Sequence, residues 1–227
     1  MGMPKNNMNP EDDIPFISVV IPTYNRGVSL IRCLTSLLCQ TYPAQRFEII
    51  VVDDGSCDGT EKLVCQFVDT AKTKQPSVRY IRQINRGPGS ARNFGVKNSF
   101  GNIIAFTDDD CVVSDTWIET IVNRYREHPD IAACGVQPID IIESGIFTPI
   151  TKCFELKSTK TKNEFFFPYE FAPFRIISGE NVSVKKDVFL SVGGYDDRFK
   201  FYGEDVDLIY RLLRNGYKVL YSPKIKS

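Results

Sequence analysis

Ile103-Ile104-Ala105-Phe106-Thr107-Asp108-Asp109-Asp110-Cys111 is the stretch on which the fold turns, because four apolar residues run into three consecutive carboxylates. Such a run reads as a strand covered on both faces, as in parallel sheets flanked by helices. The acids then stand at its carboxyl end, where ligands bind in open α/β sheets. Adjacent carboxylates repel one another unless a cation sits among them, and oxygen donors without thiols suit Mg²⁺ or Mn²⁺. The triplet by itself reads equally as an acidic turn that caps the next helix.

The same grammar repeats upstream. A first strand, Phe16 to Ile21, ends at Pro22-Thr23-Tyr24-Asn25-Arg26. No GxGxxG follows it, which argues against a dinucleotide-binding Rossmann domain. A helix carrying Leu30, Ile31, Leu34, Leu37 and Leu38 stops near Gln40. The second strand, Phe47 to Val52, delivers Asp53-Asp54-Gly55-Ser56 to the same sheet edge, a segment that alone would be an ordinary turn. A third strand, Val78 to Ile81, leads through Asn85-Arg86-Gly87-Pro88-Gly89-Ser90 into a helix opened by Ala91-Arg92-Asn93. That Gly-rich turn fits either a phosphate site at a helix N-terminus or a tight connection. A helix from Asp115 to Arg126 and a strand from Ile131 to Val136 complete the alternation, which predicts a mostly parallel sheet with helices on both faces.

From Pro138 to Ser178 the chain turns irregular and aromatic-rich. Then Ser178-Gly179-Glu180-Asn181 precedes a strand at Val182 to Val184, and a short helix ends at Gly193-Gly194. Tyr202-Gly203-Glu204-Asp205 opens a helix with Leu208, Ile209, Leu212 and Leu213 on one face, and a last strand runs from Lys218 to Tyr221. Residues 1–14 read as a disordered leader and 15–227 as one domain, with a nucleotide-sugar half to 137 and an acceptor-side half after it.

The 28 basic residues balance the 28 acidic ones, so no bulk field points to nucleic acid and an anionic ligand needs a local site. Seven dispersed cysteines without a CxxC pair argue against a disulfide framework or zinc, and suit a reducing compartment. The single histidine, His128, reads as a surface residue and leaves no partner for a histidine-activated nucleophile. With no run of 18 apolar residues and no apolar signal core, the expectation is a soluble, cytoplasmic chain.

Taken in order, Ile21 to Arg26, Phe47 to Thr60, Asn85-x-Gly87 with Ala91-Arg92-Asn93, Phe106 to Asp110, Gly193-Gly194-Tyr195-Asp196 and Gly203-Glu204-Asp205 resemble the inverting glycosyltransferases of family 2, which have the GT-A fold. The resemblance implies a nucleotide wall from Pro22, Thr23 and Tyr24, with Tyr24 stacked on the base. Asp54, beside Asp53, would accept from a pyrimidine N–H, and Asp108 would lie near the ribose. Asp109 would bind Mn²⁺ or Mg²⁺ directly and Asp110 through water, while Arg92, at a helix N-terminus, reads equally as a second cation at the nucleotide or as a surface or structural residue. Asp205 would be the catalytic base, and Gly179, Asn181 and Glu204 would contact the donor sugar or the acceptor.

The same resemblance implies transfer from a nucleotide diphosphate donor, UDP-linked, to a hydroxyl of a saccharide or lipid-linked acceptor. It places the protein at the inner face of the membrane, with membrane contact only through a part beyond the present C-terminus. The family's further metal ligand, commonly a His past the last strand, has no counterpart after His128. The helix macrodipole by itself also accounts for acids at Glu204-Asp205. A sugar-phosphate nucleotidyltransferase is the enzymatic alternative, but Pro22 to Arg26 lacks the Gly-rich basic turn expected of that class. A saccharide-binding domain that kept the fold and lost activity is the non-enzymatic one.

Overall fold

Residues 14–71, 76–136, 164–166, 179–199 and 203–225 are described in the computed structural model of the chain, so the expected leader and most of the stretch 138–178 lie outside the described residues. Strands and helices alternate as the apolar spacing predicts: β1 (Ile17–Thr23), α1 (Gly27–Leu38), β2 (Phe47–Asp53), α2 (Thr60–Ala71), β3 (Ser77–Arg82), α3 (Pro88–Lys97), β4 (Ile103–Thr107), α4 (Trp117–Glu127) and β5 (Ile131–Gly135). After them come β6 (Phe165–Phe166), β7 (Asn181–Lys185), α5 (Lys186–Ser191), α6 (Glu204–Arg214) and β8 (Lys218–Tyr221).

The strands form one eight-stranded sheet in the order β3-β2-β1-β4-β7-β5-β8-β6. β3, β2, β1 and β4 are parallel neighbours. β7 runs antiparallel between β4 and β5, β8 lies parallel to β5, and β6 edges β8 in the antiparallel sense. The sheet is thus mostly parallel, and β7 is the seam between its two halves.

Alternation along the central strands explains their unbroken apolar character. Val19, Ile21, Ile49, Val51, Ile103 and Ala105 face one core with Leu30, Leu34, Val64, Trp117 and Ile121 from α1, α2 and α4. Val20, Ile50, Val52, Ile104 and Phe106 face a second core with Ala91, Val96, Phe189, Leu208 and Leu212 from α3, α5 and α6. Both faces are covered, so these positions are apolar, and two buried polar residues of β1 and β2, Ser18 and Glu48, satisfy each other through the Ser18 hydroxyl at 2.7 Å. Each such Val, Leu or Ile contributes roughly 1.5–3 kcal/mol by its burial. Trp117, itself fully buried, donates its indole N–H to Asn181 Oδ1 at 3.0 Å and ties α4 to β7.

β1 runs two residues beyond the expected Ile21 and takes in Pro22. Asp54 N donates to the Thr23 carbonyl at 2.9 Å, so Thr23 turns toward β2 and Pro22, one residue earlier, toward β4. The β1–β4 ladder has already ended at Val20 opposite Phe106, so a missing N–H there breaks no bond. The six cysteines of the described residues are free, and among those residues no helix is long and apolar enough to cross a membrane.

One connection after α5 fixes how the second core meets the sheet edge. Asn93 on α3 accepts from Tyr195 N at 2.9 Å and donates to Tyr195 O at 2.7 Å. Gly194 lies in that clamp at φ 69°, and a Cβ there would come within 2.5 Å of Asn93 Oδ1. Gly194→Ala is therefore expected to lower the unfolding free energy by about 1–3 kcal/mol, through left-handed strain and displacement of Asn93. Urea denaturation would read the shift, and an unmoved midpoint would show that the turn relaxes freely.

Candidate active site

β1 and β2 end side by side, Thr23 opposite Asp53, and the two acids that follow act differently. Asp53 is fully buried and accepts from Ser56 N at 2.7 Å and from the Tyr80 hydroxyl, so it builds the turn. Asp54, also buried, accepts on Oδ1 from Gln83 Nε2 at 2.7 Å and Arg86 N at 2.9 Å, and on Oδ2 from Gly87 N at 2.8 Å. These bonds draw the Gly-rich turn down onto β2 and engage N–H groups that the sequence alone left open to a phosphate. A carboxylate has about four acceptor positions, so one on Oδ2 remains.

Tyr24 is 47% exposed at the mouth of this turn, while Pro22 and Thr23 are buried behind it. Asn25 holds the tyrosine in place from a left-handed φ of 55°. Its N–H donates to Ser56 Oγ at 2.8 Å and its Oδ1 accepts from Cys57 N at 2.8 Å. The backbone next to Tyr24 is therefore fixed to the Asp53–Ser56 turn, and its half-exposed side chain is left accessible to solvent.

At the end of β4 the three acids part. Asp109 is buried, accepts from Thr23 Oγ1 at 2.7 Å and lies 3.4 Å from Arg26 Nη1. Exposed Asp110 pairs with the same Arg26 nitrogen at 2.7 Å. Asp108 turns the other way and accepts from Arg92 Nη2 at 2.7 Å. Burial holds the Asp109 carboxyl above its ordinary range, with Asp110 and Asp108 adding to the push and Thr23 and Arg26 opposing it. A divalent cation on Asp109 and Asp110 would relieve that crowding, and the hard oxygen donors match Mn²⁺ or Mg²⁺. Arg26 already demonstrates that the pair draws positive charge.

Arg92, expected at the nucleotide, is buried at 4% exposure and bridges two acids. Its Nη1 donates to Glu204 Oε1 at 3.0 Å, opposite the bond to Asp108. The guanidinium sits 5.5 Å from the centroid of the Tyr195 ring. Burial alone would lower the Arg92 pKa, but Asp108, Tyr195 and Glu204 more than reverse it. Burial likewise lifts the Glu204 carboxyl, against the pull of Arg92. Removing one member of such a buried pair costs roughly 3–5 kcal/mol, because the other charge is left uncompensated.

Asp205, half-buried at the start of α6, accepts from Gly179 N at 2.8 Å. A Cβ on Gly179 would lie 3.3 Å from Asp205 Oδ2 and 3.5 Å from Arg92 Nη2. The entry to β7 thus closes over α3 and α6 at one point. A continuous path runs from Asp54 through Thr23 to Asp109, and from Asp108 through Arg92 to Glu204 and Asp205. Asn181 lies outside this group: it is 1% exposed, accepts from Trp117 and donates to the Ile225 carbonyl at 3.4 Å.

Three contributors had no role in the sequence reading. Asn93 and Tyr195 stood within quoted motifs, and only their pairing across the turn reveals that they seat Arg92. Arg26, third after Thr23, reaches both distal acids of the triplet. His128 packs edge-on against Phe166, with centroids 5.5 Å apart. Nearby Glu127 and Glu164 are already bridged by Arg124, at 2.8 and 2.6 Å. A cleft of about 710 Å³ runs along the Ser90, Asn93, Phe94 and Lys97 face of α3, which does not carry Arg92. Chemistry rather than volume marks the site.

Residues 18–189 match the family model described as Glycosyl transferase family 2. A glucosyl-dolichyl phosphate glucuronosyltransferase of Haloferax volcanii is 33% identical over 184 residues, covering 79% of this chain and 56% of that protein. The glycosyltransferase AglE of the same organism is 41% identical over 106 residues, 47% of this chain and 34% of its own length. Among solved structures, a mannosyltransferase of Pyrobaculum calidifontis in complex with GDP-Man and Mn²⁺ superposes with a TM-score of 0.73 at 19% identity, covering 98% of this chain and 59% of that one. TarS of S. aureus, residues 1–349 with UDP, gives 0.67 at 20% identity, over 91% and 60% of the two chains. These two share the GT-A fold with the present chain. The chain spans between about a third and three fifths of the length of these four proteins.

Because Asp54 closes its own turn, Asp54→Asn is expected to cost about 1–3 kcal/mol of stability with no nucleotide present, an amide NH₂ then facing a donor. A denaturant melt measures it, and an unchanged midpoint would mean the turn is held elsewhere.

Proposed function

The chain belongs to glycosyltransferase family 2, and on that premise we propose that it transfers a sugar from a nucleotide diphosphate donor, UDP-linked, to a hydroxyl of a saccharide or lipid-linked acceptor, with inversion. The observation that carries the reading is convergence. Asp54, Asp109 and Asp205 come from three separate elements and end in one neighbourhood at the carboxyl edge of the sheet. A domain that merely binds saccharide needs no such gathering of acids around a buried arginine.

In this reading the base stacks on Tyr24 and gives an N–H to the acceptor position left on Asp54 Oδ2. Asp109 and Asp110 would hold Mn²⁺ or Mg²⁺, which when bound neutralises charge on the departing diphosphate. Asp205 Oδ2 is taken by the Gly179 N–H, leaving Oδ1 to receive the proton of the acceptor hydroxyl. The acceptor oxygen bonds to the anomeric carbon as the bond to the diphosphate oxygen breaks, the electron pair leaving with that oxygen. One displacement of this kind inverts the carbon and uses no protein nucleophile.

The nucleotide sugars bound by the solved neighbours support the donor class. The dolichyl phosphate in the name of the Haloferax volcanii relative favours a lipid-linked acceptor. A screen of nucleotide sugars by product formation tests the whole reading.

Calorimetry should find UDP binding weakened roughly tenfold or more, about 1.4 kcal/mol, when EDTA replaces Mn²⁺. Equal affinity in EDTA would remove the ion from the site. Asp205→Asn is expected to keep UDP affinity while lowering turnover by roughly 10²–10⁴-fold, and undiminished turnover would dismiss it as base. Only the ionised carboxylate ligates, and Asp109 holds its proton to a higher pH than an ordinary aspartate. Mn²⁺ affinity, followed by electron paramagnetic resonance, should therefore be full above that raised pKa and fall on acidification earlier than an unperturbed carboxylate would allow.

A further inference from the structure

Resting on the transferase reading, we propose that Arg92 and Glu204 are positioning residues, which fix the donor-side acid Asp108 and the base Asp205 at a set separation and touch neither donor nor acceptor. One guanidinium joins two parts of the site that no strand pairing joins. Its Nη2 holds Asp108 beyond β4 at 2.7 Å, and its Nη1 holds Glu204 at the first turn of α6 at 3.0 Å. Asp205 is the next residue of that turn, and its carboxylate is pinned from above by Gly179.

Both members are buried, and each is already bonded within the protein. The side chains of Arg92 and Glu204 are 5% and 9% exposed, and both Arg92 terminal nitrogens are engaged. The arginine is itself held in a built pocket. The Tyr195 ring lies beside it, packed edge-on against Phe106 at 5.4 Å and Phe189 at 5.5 Å, and Asn93 clamps the Tyr195 backbone. A buried ion pair is weak evidence for stability, since well-packed apolar side chains often serve as well. A planar fork with two donors instead fixes two carboxylates in one plane, which a lysine point charge cannot do. In-line displacement needs that constancy, because a misplacement of about 1 Å can slow a reaction by roughly 10²-fold.

The test uses the full chain, UDP release from a panel of UDP-sugars, and UDP titration in Mn²⁺. Glu204→Gln keeps the shape and an acceptor for Arg92 while removing the charge, and Asp108 still pairs with the guanidinium, so an unchanged circular dichroism spectrum is expected. It is expected to lower kcat by roughly tenfold, and Arg92→Lys by roughly 10²-fold, with KM and UDP affinity within about twofold. The double variant should be no slower than Arg92→Lys alone, because the two act as one unit. If Arg92→Lys does not fold, Glu204→Gln alone decides. Wild-type kcat in Glu204→Gln overturns the proposal, as does a loss that falls on KM or UDP affinity, since that would make these residues ligands. Asp205→Asn separates the two levels: if it too turns over normally, the transferase reading fails, whereas an inactive Asp205→Asn beside a normal Glu204→Gln removes only the positioning role.

Discussion

Carboxylates of like charge cannot be gathered without a counter-charge, and this site gathers Asp108, Asp109, Glu204 and Asp205 within a few residues of one another in space. Arg92 answers the constraint on the inner side, desolvated yet bound to two of the four. Arg26 answers it on the outer side, where it meets buried Asp109 and exposed Asp110. The inner cation is fixed and the outer one lies at the surface, more than half exposed. That asymmetry fits an architecture in which the inner charge belongs to the protein and the outer place to an exchangeable ion.

The packing that permits a buried arginine is the second core. Phe106, Phe189 and Tyr195 form a tilted and edge-on cluster under the guanidinium, and the Asn93 clamp holds the tyrosine there. Strand β4 belongs to both arrangements: Phe106 points into that cluster, and two residues later Asp108 meets the arginine it supports. A sheet covered on both faces is what lets the same strand anchor a core and present a charge.

Much of this was legible beforehand. The apolar runs at Val19–Ile21, Ile49–Val52 and Ile103–Phe106 announced two-sided burial, and acids at strand ends marked the edge where Asp54, Asp108 and Asp109 stand. What periodicity could not reveal is what each acid is bonded to. Asp53 and Asp54 are adjacent and look alike in sequence, yet one builds its turn with Ser56 and Tyr80 while the other fastens a distant glycine-rich loop. The burial of Arg92 and Asn181 becomes visible only when Glu204 and Trp117 arrive from far along the chain. Pro22 concealed the last two residues of β1 because its tolerance depends on where a neighbouring ladder stops.

The seam at β7 carries one more consequence. The chain has a single tryptophan, Trp117, fully buried, whose indole N–H is bonded across that seam to Asn181. Its fluorescence therefore arises from one place alone, the junction where the parallel half of the sheet meets the strand that returns beside it. Emission excited at the red edge of indole absorption, where the ten tyrosines do not absorb, is a built-in optical gauge of whether the two halves are joined, with no dye or label attached.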